Sequence, residues 1–205
     1  MSNKLYKFAA EEVYKIDSEI SGINAEREIS RMFANEYCKI GNKSWKVRLE
    51  MRILVLENIL ESNLRDDVTY RKAEMKDKDI LLEMLKEIRR EIVNEEMSDE
   101  EALEKFDKSM ENGYYILEKE GKIVAQASIN KQLLNGKLVG SVFTVKNERG
   151  KGYAYNLVYR LSKDILENGA KYCALFTDDS NQISNHVYEK IGYRRIADVT
   201  EIKFE

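Results

Sequence analysis

Apolar residues recur along this chain with two different periods, and the switches between them outline its elements. Between Asn24 and Ile40, Ile29, Met32, Phe33, Tyr37 and Ile40 lie three or four positions apart, which is one face of an amphipathic helix. After Gly41-Asn42 the period falls to two: Trp45, Val47, Leu49, Met51, Ile53 and Val55 alternate with Lys46, Arg48, Glu50 and Arg52. That alternation predicts a half-buried strand, although Trp45, Leu49, Ile53, Leu56 and Leu60 also satisfy helical spacing. "NLRDD" around residue 65 is short, polar and aperiodic, the expected boundary between an N-terminal extension, 1–67, and a domain, 68–205. Past it, the pattern predicts a strand at 68–71 and a helix from about Asp77 to Val93. Ser98 with Glu101 three positions on is a capping box that opens a further helix, which Gly113 ends. Residues 114–145 read as a three-stranded meander turning at Glu120-Gly121 and Asn135-Gly136, the latter a strong hairpin signal. A helix from Gly152 to about Glu167, a stop at Gly169, an apolar strand "KYCALFT", a helix from about Gln182 to Ile191 and a last hairpin through "YRRIADVTEIKFE" complete the chain.

Length and charge narrow the function classes. With 205 residues the chain can bury one good-sized core with an appendage. A net charge of −3 implies no strongly basic face, so a nucleic-acid partner is not expected. Mild acidity suits an amine substrate, and equally a solvated surface. No apolar stretch approaches the length of a membrane span, and charges interrupt "MSNKLYKFAAEEVYKID" where a signal peptide needs an apolar run. A cytoplasmic protein without membrane contact is expected. Cys38 and Cys173 are far apart, with no neighbouring histidine or Cys-x-x-Cys spacing, so they predict packing thiols and no metal site. Proline is absent and marks no turns.

The most informative stretch is "FTVKNERGKGYAYNLVYRL", residues 143 to 161, where an apolar run passes through a charged turn with two glycines into a helical pattern. A strand followed by a helix opening at Gly152 aims unpaired amides at the turn, and glycines let an anion approach them. Arg149 and Lys151 add positive charge. Residue spacing alone leaves a phosphate site and an ordinary turn both open. A P-loop is excluded, because Lys151 is followed by Gly152 and no glycine stands five positions before Gly150. A dinucleotide fingerprint fits poorly, with Tyr155 at the third glycine position and a meander preceding.

Arg149-Gly150-Lys151-Gly152-Tyr153-Ala154 resembles the Arg/Gln-x-x-Gly-x-Gly/Ala signature of the GNAT superfamily of acetyl-CoA-dependent N-acetyltransferases. "FTDDSNQISNHVYEKIGYRRI" is similar to that superfamily's later segment, in which an asparagine precedes a tyrosine by seven positions. The pair looks most like bacterial acetyltransferases whose N-terminal part is a degenerate second copy of the fold, of which residues 1–67 would be a remnant. The resemblance covers about 138 residues, from Val68 to Glu205. It implies an α/β (α+β) fold: a mixed, mostly antiparallel central sheet flanked by helices, with a shorter N-terminal α/β extension. It further implies an acyltransferase that moves an acetyl group from acetyl-CoA to a primary amine of a small molecule or protein, working as monomer or homodimer. The pantetheine arm would meet the backbone of Phe143, Thr144 and Val145, and the pyrophosphate the amides of Arg149 to Ala154. Asn181 and Ser184 would contact the cofactor arm as well. Tyr155, Lys146 and Gln182 depart from the usual pattern, which bears on the shape of the turns.

Acetyl transfer to an amine needs a neutral nucleophile, stabilisation of a tetrahedral intermediate and a proton for the departing thiolate. Tyr188, seven positions after Asn181, matches the superfamily's thiolate-protonating tyrosine, against the alternative of a tyrosine packed on the sheet. Asp178, Asp179 and Glu118 are the carboxylates considered for the base, and none is singled out. His186 lies two positions from Tyr188 and so points to another helix face. Two competing readings are a catalytically silent CoA-binding regulator and a transferase of larger acyl groups.

Overall fold

Six α-helices and eight strands are found in the computed structural model, which describes residues 3–205. Contacts divide the chain into two compact units that interleave in sequence. The smaller takes the chain up to Ile53 together with Thr177–Gln182 and Arg195–Glu205; the larger takes Leu54–Phe176 and Ile183–Arg194. This grouping by contact differs from the expected 1–67 and 68–205 division.

In the smaller unit, α1 (Asn3–Ile16), β1 (Gly22–Glu26), α2 (Arg27–Gly41), most of β2 (Trp45–Leu56) and nearly all of β8 (Arg194–Phe204) assemble around an aromatic core. The Tyr37 ring is fully buried and stacks on Phe33 and Phe204, at centroid distances of 5.7 and 4.8 Å. β1 pairs antiparallel with β8, from Gly22 opposite Lys203 to Glu26 opposite Val199. The alternation from Trp45 is a strand throughout, which excludes the helical alternative. Two expectations are corrected here. The helix read from Asn24 begins at Arg27, because Asn24 to Glu26 belong to β1 and the Glu26 carboxylate accepts from the Glu28 and Ile29 amides as its N-cap. The closing hairpin is one unbroken strand, β8, in which Asp198 pairs with Arg195 on the surface and makes no turn. Neither α1 nor β1 was expected.

The larger unit holds β3 (Thr69–Lys72), α3 (Lys78–Val93), α4 (Asp99–Asn112), β4 (Tyr114–Lys119), β5 (Lys122–Gln132), β6 (Gly136–Thr144), α5 (Tyr153–Glu167), β7 (Tyr172–Asp178, its last two residues in the smaller unit) and α6 (Gln182–Ile191). The strands follow the order β7-β6-β5-β4-β3, all antiparallel except β6 with β7. This is the expected mixed, mostly antiparallel sheet flanked by helices. Two apolar cores flank it. Leu157, Val158 and Leu161 of α5 pack with Leu117, Ala127, Val139, Leu175, Tyr188 and Tyr193. Leu81, Leu85 and Ile88 of α3 pack with Phe106 of α4, Tyr114 and Ile116. The Ser98 capping box forms as read: Ser98 Oγ accepts from the Glu101 amide, and the Glu101 carboxylate accepts from the Ser98 amide.

β6 and β7 pair only from Gly136–Tyr172 to Val139–Leu175, and beyond that point β6 runs on without this neighbour. Gly136 explains where the ladder begins. The Asn135-Gly136 hairpin signal is displaced by one residue, since the Leu133 amide donates to the Gly136 carbonyl and Gly136 is already within β6. A Cβ on Gly136 would stand 2.6 Å from the Tyr172 carbonyl oxygen and 2.5 Å from its ring, so the glycine permits close strand approach and does not make the turn. Gly136→Ala is expected to destabilise the protein by about 1–3 kcal/mol, the usual cost of overpacking. Urea denaturation showing an unchanged midpoint would disprove this account of the glycine.

Candidate active site

The departure of β6 from β7 opens a wedge in the sheet, and β6 lines it with a distorted edge. Its register against β5 slips between the Gln126–Phe143 and Ser128–Gly140 pairs, a β-bulge in which Ser141 adopts φ 50°. A non-glycine residue in this region is strained, and such strain collects at functional sites. The Ser141 and Thr144 hydroxyls are buried with no hydrogen-bond partner. Behind the bulge runs a buried relay: Tyr114 Oη donates to Gln126 Oε1 at 2.8 Å, and Gln126 Nε2 to the Ser141 carbonyl at 3.5 Å. Sequence reasoning missed Ser141, Gln126 and Tyr114. A polar residue at every second position of β5, Gln126, Ser128 and Asn130, was the one available signal.

At the end of β6 the chain enters the glycine turn. Gly150 and Gly152 have φ of 76° and 81°, Gly152 is the N-cap of α5, and no side chain caps that helix. A Cβ built on either glycine would meet nothing within 4 Å, so the space ahead of the turn is open. Uncapped amides, the positive end of the helix dipole and room for an oxygen ligand together fit a pyrophosphate.

The turn's cations are already engaged. Arg149 Nη2 lies 3.0 and 2.8 Å from the two Glu91 carboxylate oxygens of α3, its Nε donates to the Thr144 carbonyl at 3.0 Å, and its guanidinium covers the Phe143 ring at 5.2 Å. Lys146 also reaches Glu91 at 3.4 Å, and Lys151 pairs with Glu148 at 2.9 Å. Of the expected β6 backbone contacts, therefore, the Thr144 carbonyl is occupied by Arg149, and the Val145 amide donates to the Val124 carbonyl. Tyr153 is buried and Ala154 half-buried at the start of α5. The linker supplies an unforeseen neighbour. Arg65 donates from its amide to Asn156 Oδ1 at 2.8 Å and from Nη1 to the Lys151 carbonyl at 3.1 Å, with its guanidinium 5.2 Å from the Tyr153 ring centroid.

Tyr188 lies on the buried face of α6, in the same apolar cluster as Val139 and Leu175, the last paired residues before the wedge. Its ring meets Tyr193 edge-on at 5.9 Å. Burial alone pushes the phenol up to about 12, so it keeps its proton throughout the neutral range. Ser184 is half-buried in the first turn of α6, whereas His186 is exposed. In the smaller unit, Asn181 follows β7 in a turn where its amide donates to the Asp178 carbonyl.

None of the three carboxylates considered for the base is freed for that role. Glu118 accepts two hydrogen bonds from Arg71, at 2.9 Å each, and these hold its carboxyl below the usual glutamate range. Asp179 is bonded by Arg52 and Arg27, and the Arg52 bond chiefly lowers its carboxyl too. Asp178 Oδ1 accepts from the Ser180 amide and hydroxyl. Cys38 and Cys173 are buried free thiols, and among the described residues no cluster of metal-ligating side chains occurs. No helix among those residues is long and apolar enough to cross a membrane.

The acetyltransferase (GNAT) family model matches residues 79–193. Among solved structures, a GCN5-related N-acetyltransferase from Kribbella flavida aligns over 99% of this chain and 76% of its own, with TM-score 0.67 and 15% identity. One from Sphaerobacter thermophilus aligns over 88% of this chain with TM-score 0.67 and 14% identity; the aligned part is 58% of that protein. An acetyltransferase of the GNAT family from Novosphingobium aromaticivorans aligns over 78% of this chain and 68% of its own, with TM-score 0.58 and 15% identity. At these identities the structural likeness carries the fold. No curated protein sequence matches the chain.

The Glu91 contacts make a measurable claim about the turn. A carboxylate on Arg149 competes with any phosphate that approaches it, and exposed pairs of this kind are worth about 0.2–1 kcal/mol. Glu91→Gln is therefore expected to tighten CoA binding about two- to fivefold by calorimetry at low salt. Weaker binding in the variant would instead make Glu91 the group that holds Arg149 in its binding position.

Proposed function

Since the chain belongs to the acetyltransferase (GNAT) family and is an acyltransferase, we propose that it transfers the acetyl group of acetyl-CoA to a primary amine of a small molecule or peptide. The observation that carries this reading is the open, uncapped Gly150–Gly152 turn at the start of α5, directly after a strand that parts from its neighbour. Acetyl-CoA, when bound, supplies an activated thioester. Phe143, Thr144 and Val145 would flank its pantetheine arm, the amides of Arg149 to Ala154 its pyrophosphate, and Asn181 and Ser184 would add contacts along the arm. The buried, unpartnered Ser141 and Thr144 hydroxyls on β6 support a polar ligand there. Tyr188 keeps its proton at neutral pH and delivers it to the leaving sulfur.

A regulator that binds CoA without turnover is the second reading, favoured by the arginine pairing of Glu118 and Asp179. Free thiol released from acetyl-CoA in the presence of an amine panel decides between the two. We further read residues 1–67 as the remnant of a degenerate second copy of the fold, with no cofactor site of its own, and the cytoplasm as the place of action, in keeping with two free thiols.

Two substitutions test the site. Gly152→Asp places a negative charge where the pyrophosphate would sit, and aspartate is among the residues that tolerate left-handed φ. CoA binding should fall below detection while Gly152→Asn, alike in shape but uncharged, retains part of it; near-normal affinity in a folded aspartate variant rules the turn out. Tyr188→Phe keeps the ring and removes the hydroxyl. Its kcat should drop by ~10²–10⁴-fold with little change in CoA affinity, as for loss of a general acid. A kcat within about twofold of wild type, where chemistry limits the rate, would leave Tyr188 a packing residue.

A further inference from the structure

A second cavity lies in the larger unit between α4, the end of α3 and β5, with a volume of about 370 Å³. Its apolar lining is Met97 and Ile129, and its cations are Arg89, Lys105 and Lys108. Arg89 is engaged, at 3.3 Å from Glu95 and 3.5 Å from Glu101. Among the described residues neither Lys105 nor Lys108 has a carboxylate within ion-pair distance, although Glu101 and Glu104 also line the cavity. Lys105 is half-buried, and its ammonium is held below the ordinary lysine value first by burial and then by the charge of Arg89. Both influences oppose its charge, which an anion seated beside it would favour.

The same cavity reaches the wedge. Asn130 lines it, and Asn130 Oδ1 accepts from Ser128 Oγ at 2.8 Å. Its amide nitrogen lies across Gly140, 2.0 Å from where a Cβ would stand, and Gly140 is the first β6 residue beyond the last pair with β7. Two lysines, two apolar side chains and an amide that lies against β6 just beyond its last pair with β7 thus share one cavity lining.

We propose that this cavity holds the acceptor, with the acceptor's carboxylate at Lys105 and Lys108, so that the protein acetylates amines that carry a carboxylate at the far end of an apolar spacer, of the ω-amino-acid type, in preference to plain amines. The assignment rests on the acetyl-transfer reading above. An acceptor so held lays its apolar body over Ile129 and Met97 and presents its amine past Asn130 to the wedge. The amine nitrogen forms the new bond to the acetyl carbon, the carbon–sulfur bond breaks, the amine's proton goes to solvent, and the thiolate is protonated.

Matched acceptors test this: 4-(aminomethyl)benzoate against benzylamine, and 4-aminobutyrate against butylamine, with thiol release from acetyl-CoA as the readout. The acid-bearing member of each pair should have a kcat/KM at least tenfold higher. Lys105→Met should bring that ratio near one, and Lys105→Arg should restore it. Lys105→Gln replaces the methionine variant should that fail to fold. A preference for the plain amines, or a ratio that survives loss of Lys105, overturns the proposal. Calorimetry with 4-(aminomethyl)benzoate separates this failure from failure of the transfer reading. Binding that is lost in Lys105→Met, without turnover of any amine, keeps the carboxylate site and removes the transfer reading. Equal binding in both proteins, or none in either, removes the site.

Discussion

The larger unit is organised by a ladder that stops early. Two parallel strands that hydrogen-bond over four residues and then part leave backbone groups that must be satisfied elsewhere. On its other side β6 stays paired with β5 as far as Thr144, through a bulge that turns Ser141 out of ordinary strand geometry. Gly136 determines where pairing starts, by letting β6 come within reach of Tyr172. The wedge is thereby built from strands and not from loops, with the glycine turn at one end and Tyr188 in the apolar cluster of Val139 and Leu175 where the strands part.

Electrostatics around the wedge follow one theme, in which formal charges are matched before any ligand arrives. Arg149 answers Glu91, Lys151 answers Glu148, Arg71 answers Glu118 and Asp77. What remains for polar work near the wedge is mostly uncharged: uncapped amides, the Ser141 and Thr144 hydroxyls and a phenol whose burial keeps it protonated. A carboxylate held by arginine is a poor proton acceptor, so the proposed transfer is better served by a water-borne or substrate-borne base.

Where local chemistry decides an element, the sequence was readable. The period-two run from Trp45, the Ser98 capping box and the glycines before α5 each act within a few residues, and each appears where it was read. Elements decided by distant partners were not. β1 has only five residues and no periodicity, and exists by pairing with β8. α1 went unread, and exposed Leu5 and Phe8 blur its apolar face. The Asn135-Gly136 dipeptide carried a true signal with the wrong cause, since Tyr172, far along the chain, is what requires the glycine. In the site, Arg149 to Ala154 and Tyr188 were visible as motif positions, whereas the Ser141 bulge, the Gln126 relay and the Arg65 contacts depend on register and on a linker that no local pattern marks.

The pairing of β1 with β8 also constrains how the protein is born. β1 waits for partners more than 170 residues further on, and Phe204 comes later still. During translation at ~5–20 residues per second this delay is on the order of 10–35 s. Throughout it the apolar faces of α1 and α2, with Phe33 and Tyr37, have no final strand to close on. The larger unit, whose strands β3 to β7 follow one another in sequence, has no such wait until α6. Synthesis therefore favours the wedge-bearing unit folding before its elder segment, and makes the nascent N-terminal helices the natural clients of a chaperone.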